Sequence, residues 1–353
     1  MSAPVKLLLI GNRGGTNVAE CFERAAVSLG VKVHIIESCG AMARNRWLNR
    51  INWWLRGRYP THLKRFSRDL LAFCKGQRPD LLISTGIAPI TASCLRSLGQ
   101  LGVCRVSFPT DDPWNPAHRA SWFLRALPEY DYVFTPRHAN HDDLHRLGCT
   151  HVTYLPFAYD PTLHYPDPPT DDKERTEYAC DVLFIGGCDR DRVPIIAALD
   201  QNGFRVALYG SYGERYAATR HLTRGHADVQ TLRKATSGAR IALCLVRRAN
   251  RDGHVMRSFE IPAIGACMLT EDTAEHRAFF GAEGDATVYF RSITEMLDKL
   301  RWLMDNPLER ERLARTIRTR ITGGAHTYEH RLTTILDGAN LKSWTDFTSG
   351  RTK

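Results

Sequence analysis

Short apolar runs alternate along this chain with longer stretches whose apolar residues recur every three or four positions. KLLLIG (6–11) reads as a buried strand that ends in the turn NRGGTN, an apolar-periodic helix follows over 18–29, and VKVHIIE (31–37) reads as a second strand. The plan restarts with DVLFIGG (181–187), a helix over 193–201, a stop at Gly203 and the strand FRVALYG (204–210). Between the two starts, PDLLISTG (79–86), VCRVSFPTDD (103–112), YDYVFTP (130–136) and HVTYLPF (151–157) read as further strands. After the second start come IALCLVR (241–247), CMLTE (267–271) and TVYF (287–290), then helices over 293–306 and 308–321 and a terminal helix over 326–345. Strands alternating with helices argue for an α/β fold of two Rossmann-like domains, each a parallel, doubly wound sheet. The Pro-rich and then charged stretch 165–177 carries no apolar period, which predicts an N-terminal domain over 1–165, a linker over 166–177 and a second domain over 178–325.

Composition agrees with two packed domains: 353 residues, 43% of them hydrophobic. The ten cysteines are scattered, without a Cys-x-x-Cys pair or zinc-type spacing, so neither a disulfide framework nor a structural metal is expected. The first apolar run is too short for a signal-peptide core or a membrane span, and a cytoplasmic location is the expectation. A formal charge of +10 suits nucleic acid, an anionic membrane face or a phosphorylated substrate equally. Its distribution is uneven. Residues 44–68, RNRWLNRINWWLRGRYPTHLKRFSR, hold many cations and no acid, with Trp47, Ile51, Trp54 and Leu55 at helical spacing. Three readings fit this stretch: a solvated basic helix with its tryptophans anchored in a core, a peripheral contact with anionic lipid or a lipid-linked acceptor at the inner membrane face, or a nucleic-acid surface, for which no recognised binding module is present.

In parallel sheets ligands bind beyond the carboxyl ends of the strands, so two such sheets are expected to face one another across a cleft lined by strand-ending loops. Gly11, Gly14 and Gly15 open the first loop and Glu37 ends the second strand, but G-x-x-G-G departs from the dinucleotide fingerprint, and a tight strand-to-helix turn on the acceptor side is the favoured reading. Gly186 and Gly187 allow close backbone approach beside a helix N-terminus. Arg190, Arg192, Arg247 and Arg248 supply planar forks suited to diphosphate oxygens, although Asp189 and Asp191 interleave with the first two and offer an ordinary salt-bridge cluster instead.

The stretch RDGHVMRSFEIPAIG places Asp252 and Glu260 with seven residues between them, and His254 joins them as a donor-side candidate. With Ser258 as N-cap, Glu260 would sit in the first turn of a short helix ended by Gly265, able to accept two ribose hydroxyls or merely to complement the helix dipole. Asp111 and Asp112 could position or deprotonate an acceptor hydroxyl, or cap an Asp-Asp-Pro turn. His138 could meet the donor sugar or be structural.

The string MRSFEIPAIGACMLTEDTAEHRAFF, with DATVYF, EMLDKLRWLMDNPLERERLA and HTYEHR after it, resembles the C-terminal half of CgeB-like (spore-maturation type) glycosyltransferases, relatives of the family-4 retaining sugar-nucleotide transferases. VSFPTDDPWN, YDYVFTP, VTYLPFAYDP and DVLFIGGCDRDR extend the likeness over most of the chain. The resemblance implies a glycosyltransferase B-type fold with an N-terminal acceptor domain, a C-terminal donor domain and a final helix crossing back to the first. It also implies transfer from a nucleoside-diphosphate-sugar to a hydroxyl-bearing glycan, lipid-linked or small-molecule acceptor, with retention and without a metal or other cofactor. It assigns the nucleotide ribose to Glu260, the neighbourhood of the transferred sugar to Asp252 and the diphosphate to Arg247, Arg248 and Arg190, and it favours a catalytic place for Asp111. The related group usually carries Glu where this chain has Asp252. That departure keeps open a catalytically inactive nucleotide- or sugar-binding protein on the same scaffold.

Overall fold

The computed structural model describes residues 5–339, and positions 340–345 of the expected terminal helix lie outside them. Two compact units divide the chain: the first takes residues up to Pro156, Ala249–Asp252 and the chain from Tyr328, and the second takes Phe157–Arg248 and Gly253–Thr327.

The first unit carries a six-stranded parallel sheet built from β1 (Lys6–Gly11), β2 (Lys32–Glu37), β3 (Leu81–Thr85), β4 (Cys104–Phe108), β5 (Tyr132–Thr135) and β6 (Val152–Tyr154), in the order β2-β1-β3-β4-β5-β6. Leu7, Leu8, Leu9 and Ile10 are all buried, as expected of a central strand covered by helices on both faces. Gly11 ends β1 where a Cβ would stand 2.3 Å from the Ala19 side chain, so the helix Val18–Ser28 can pack this closely only over glycine. The helix Tyr328–Gly338 packs on Val18–Ser28, with the rings of Tyr328 and Phe22 edge-on at 5.3 Å.

The second unit carries a five-stranded parallel sheet of β7 (Cys180–Ile185), β8 (Val206–Tyr209), β9 (Ala239–Cys244), β10 (Met268–Glu271) and β11 (Val288–Phe290), in the order β11-β10-β9-β7-β8. Alternate residues of β7 feed opposite cores. Val182 and Phe184 join Leu208, Leu243 and the helix Ile293–Asp305 on one face, while Leu183 and Ile185 join Tyr209, Leu232 and Ile264 on the other. The chain runs from β7 to β8, then returns past β7 to β9, so the topology switches between β7 and β9.

The stretch expected as a linker is folded structure of the second unit. Asp171 caps the helix Asp172–Tyr178 by accepting the Glu174 N–H at 2.7 Å, Glu174 meets Lys234 Nζ at 2.9 Å, and Asp167 pairs with Arg233 at 3.1 Å. Ion pairs hold this segment in place, which is why its sequence shows no apolar period.

Candidate active site

Ligands of open parallel sheets bind at the carboxyl ends of the strands where the topology switches, which here means the loops after β7 and β9. Gly186 donates its N–H to Tyr209 O at 2.9 Å. A Cβ on Gly187 would meet the Tyr212 ring at 3.4 Å and the Arg247 guanidinium at 3.5 Å, so these two side chains lie against the backbone where it carries no side chain of its own. Arg192 is spent on architecture: it donates to Gly187 O at 2.9 Å and to Leu245 O at 2.8 Å, stapling the ends of β7 and β9, and burial pushes its guanidinium below the ordinary value. Arg190 is exposed at the start of the same turn, just before the helix Val193–Gln201. Arg247 lies half-buried, 3.9 Å from Asp189. Arg248 is largely exposed and leans on Glu271 at 3.3 Å, and the other Glu271 oxygen accepts the Val246 N–H at 2.7 Å.

Glu260 is the fourth residue of the helix Arg257–Ile264, which Met256 precedes without a side-chain cap and Gly265 ends at φ 98°. Ser258 is therefore inside the helix, where its hydroxyl accepts the Val255 N–H at 3.1 Å and bonds the His276 ring at 2.8 Å. The Glu260 carboxylate is sealed from solvent, ion-paired with Arg257 and 3.5 Å from His164 Nε2. Arg257 lies on Oε2, and His164 is the nearest basic group to Oε1. Arg257 also donates to Ile185 O at 3.3 Å, and its side chain is 23% exposed against 1% for Glu260, so Arg257 is the member of the pair that solvent reaches. Arg257 and His164 were not singled out from the sequence. The three-residue step from Arg257 to Glu260 on one helix was a readable signal, whereas His164 lies 96 positions away.

His254 departs from the expectation that it binds donor. It is fully buried, its Nε2 accepts the Phe157 N–H at 3.1 Å, and its Nδ1 is bonded to Glu275. Both ring nitrogens are occupied within the fold.

In the first unit, Asp252 lies against Arg137, Oδ1 to Nε 2.5 Å, with side chains 3% and 1% exposed. Asp112 is likewise structural: it accepts the Trp114 N–H at 2.9 Å as a turn cap, the Asn140 amide at 2.8 Å and Arg251 Nε at 2.6 Å. These bonds correct its expected role on an acceptor. Asp111 accepts from the Asn250 amide at 3.1 Å and keeps 32% of its side chain exposed. His138 opens a short 3-10 turn, exposed, with its ring stacked on Tyr154 at 3.7 Å. Gly14 and Gly15 adopt φ 105° and 60°, and the turn is tied by the Asn17 amide donating to Gly14 O at 2.5 Å. No group of three or more His, Cys, Asp or Glu side chains among the described residues has metal-holding geometry.

Residues 190–337 match a protein-family model described as glycosyl transferase-like. A sucrose-phosphate synthase from Thermosynechococcus elongatus superposes with a TM-score of 0.70 at 13% identity, covering 94% of this chain and 97% of its own. An α,α-trehalose 6-phosphate synthase from Burkholderia multivorans gives 0.63 at 12% identity, covering 99% of each chain. The protein has the glycosyltransferase B-type fold. Anabaena HepE, solved in complex with UDP-glucose, gives a TM-score of 0.62 at 11% identity over 94% of this chain and 98% of its own. At such identities these likenesses establish the fold, and the family match covers the part of the second unit that holds Arg247, Arg257 and Glu260. No curated protein matches the chain in sequence.

Proposed function

We propose that this protein is a glycosyltransferase that moves a hexosyl or deoxyhexosyl group from a nucleoside-diphosphate-sugar to a hydroxyl-bearing acceptor with retention of configuration. The observation that carries this reading is Glu260. A carboxylate sealed from solvent and held by the Arg257 guanidinium stands beside the β7–β9 switch point, within residues matched to glycosyl transferase-like proteins. Two adjacent ribose hydroxyls would take the place of the Arg257 guanidinium on this carboxylate once Arg257 swings away. Arg247 and Arg190, with the N-terminus of Val193–Gln201, would then face the diphosphate, and the bare backbone at Gly186 and Gly187 permits its approach. As the glycosidic bond breaks, negative charge grows on the diphosphate, and these fixed cations stabilise it more in the transition state than in the ground state. Retention rests on the Asp252 and Glu260 spacing shared with the resembled group. UDP-glucose on HepE makes a UDP-sugar the first donor to test.

A second reading, an inactive nucleotide- or sugar-binding protein, is favoured by the Arg137 pair that occupies Asp252. Thermal melts with UDP, GDP, dTDP, CMP, NAD and NADP test both. At a hundred times its dissociation constant a ligand adds about 2.7 kcal/mol. One nucleoside diphosphate is expected to raise the melting temperature of the wild type and not of Glu260→Ala, while a response to NAD alone would remove the donor-site reading. Turnover of the matching sugar nucleotide, followed by NMR of the product anomer, separates enzyme from binding protein.

A further inference from the structure

The helix Arg46–Leu55 is built with its polar side inward. Asn45 caps it by accepting the Trp47 N–H at 2.9 Å, Asn49 clasps the Ala43 backbone at 2.9 and 2.7 Å, and Asn52, only 7% exposed, donates to Thr61 Oγ1 at 2.6 Å. The apolar side faces out: Trp47 is 71% exposed, Ile51 49%, Trp54 72% and Leu55 81%, a stripe at i, i+4, i+7 and i+8. These tryptophans are not core anchors, which overturns that reading of the sequence. The exposure is not fraying, because Arg58 donates to the carbonyls of Ala117 and Arg119 at 2.9 and 2.8 Å and lies over the Trp53 ring. In sequence, residues 44–68 carry eight Lys and Arg and no acid, and Arg44, Arg50, Arg56 and Lys64 are exposed.

We propose that this helix lies in the surface of an anionic lipid bilayer, its Trp47, Ile51, Trp54 and Leu55 stripe at the boundary of headgroups and acyl chains and its cations on the lipid phosphates. Each half of the pattern selects against another occupant. A second copy docking the same face would set its exposed cations, Arg44, Arg50 and Arg56 among them, against their own copies, and a polyanion without an apolar phase would leave the aliphatic and indole stripe in water. Indole rings favour the membrane interface, and an amphipathic helix binds it through buried apolar area plus attraction to anionic lipid. No helix among the described residues is long and apolar enough to cross a membrane, so the contact is peripheral. The inference stands independently of the glycosyltransferase reading.

The test is sedimentation of the full chain with vesicles of phosphatidylcholine alone and with phosphatidylglycerol added. Binding is expected only to the anionic vesicles, weakening as salt rises, with a blue shift of tryptophan emission. Trp47→Ser/Trp54→Ser/Leu55→Ser should weaken it about tenfold or more with an unchanged circular dichroism melt, and Arg50→Glu/Arg56→Glu should abolish the preference for phosphatidylglycerol. Equal binding to both vesicle types, wild-type binding by the triple variant, a dimer in solution that the triple variant dissolves, or nucleic-acid binding that the triple variant retains would each overturn the proposal.

Discussion

Asp252 and Arg137 form an ion pair almost closed to solvent, and the Arg137 guanidinium also donates to Thr110 O at 2.7 Å. Removing one partner of such a pair strands a buried charge, so Asp252→Asn and Arg137→Met should each cost about 3 kcal/mol. The double variant Arg137→Met/Asp252→Leu should recover much of that loss, because no charge is left unpaired. Urea denaturation of the three variants decides it; simply additive losses would show that the two side chains act separately.

Gly187 and Gly210 look alike in sequence and should behave differently. A Cβ on Gly210 would stand 2.3 Å from Gly186 O at φ 124°, so Gly210→Ala should destabilise the fold by about 2–4 kcal/mol. A Cβ on Gly187 meets only ordinary contacts, at 3.4–3.5 Å from Tyr212 and Arg247. Gly187→Ala should therefore stay within about 1 kcal/mol of wild type while narrowing the approach to the backbone and reducing the nucleotide-induced thermal shift. An undiminished shift would place the diphosphate elsewhere.

His254 should act on stability alone. Replacing it with Ala leaves the buried Phe157 N–H and Glu275 without their partner, at about 1–3 kcal/mol. Nucleotide affinity of the folded variant should match wild type. A weakened affinity with an unchanged melting temperature would return His254 to the ligand.

The strands were legible because parallel strands buried on both faces read as unbroken apolar runs, as in Leu7–Ile10 and Val182–Ile185, and the Gly186–Gly187 turn followed from where such a run stops. What periodicity could not convey was the partner of each charge. His254 looked like a ligand because the backbone it serves, at Phe157, lies 97 positions away, and Asp112 looked available because its Arg251 partner is 139 positions away. The Arg46–Leu55 helix could be read either way, because an apolar stripe normally faces the core; the bonds that hold Asn49 to Ala43 and Asn52 to Thr61 bury its polar side instead.

His276 links stability to pH in the second unit. It is fully buried, its Nδ1 lies 2.8 Å from Glu271 O and its Nε2 2.8 Å from the Ser258 hydroxyl, and burial pushes its pKa down to about 4, with His254 adding to that while Asp272 and Glu275 oppose it. Between the unfolded value near 6.5 and that folded value, the unfolded chain takes up a proton that the native ring refuses. Stability is therefore complete above about pH 6.5 and falls as the pH drops toward 4, by about 3 kcal/mol from this residue. His276→Gln keeps a side chain that can donate and accept but cannot be protonated. Its unfolding free energy, followed by urea titration at successive pH values, should lose one proton's worth of slope across this window, while the wild type keeps it. Parallel slopes for the two proteins would show that the ring is protonated as readily in the fold as outside it.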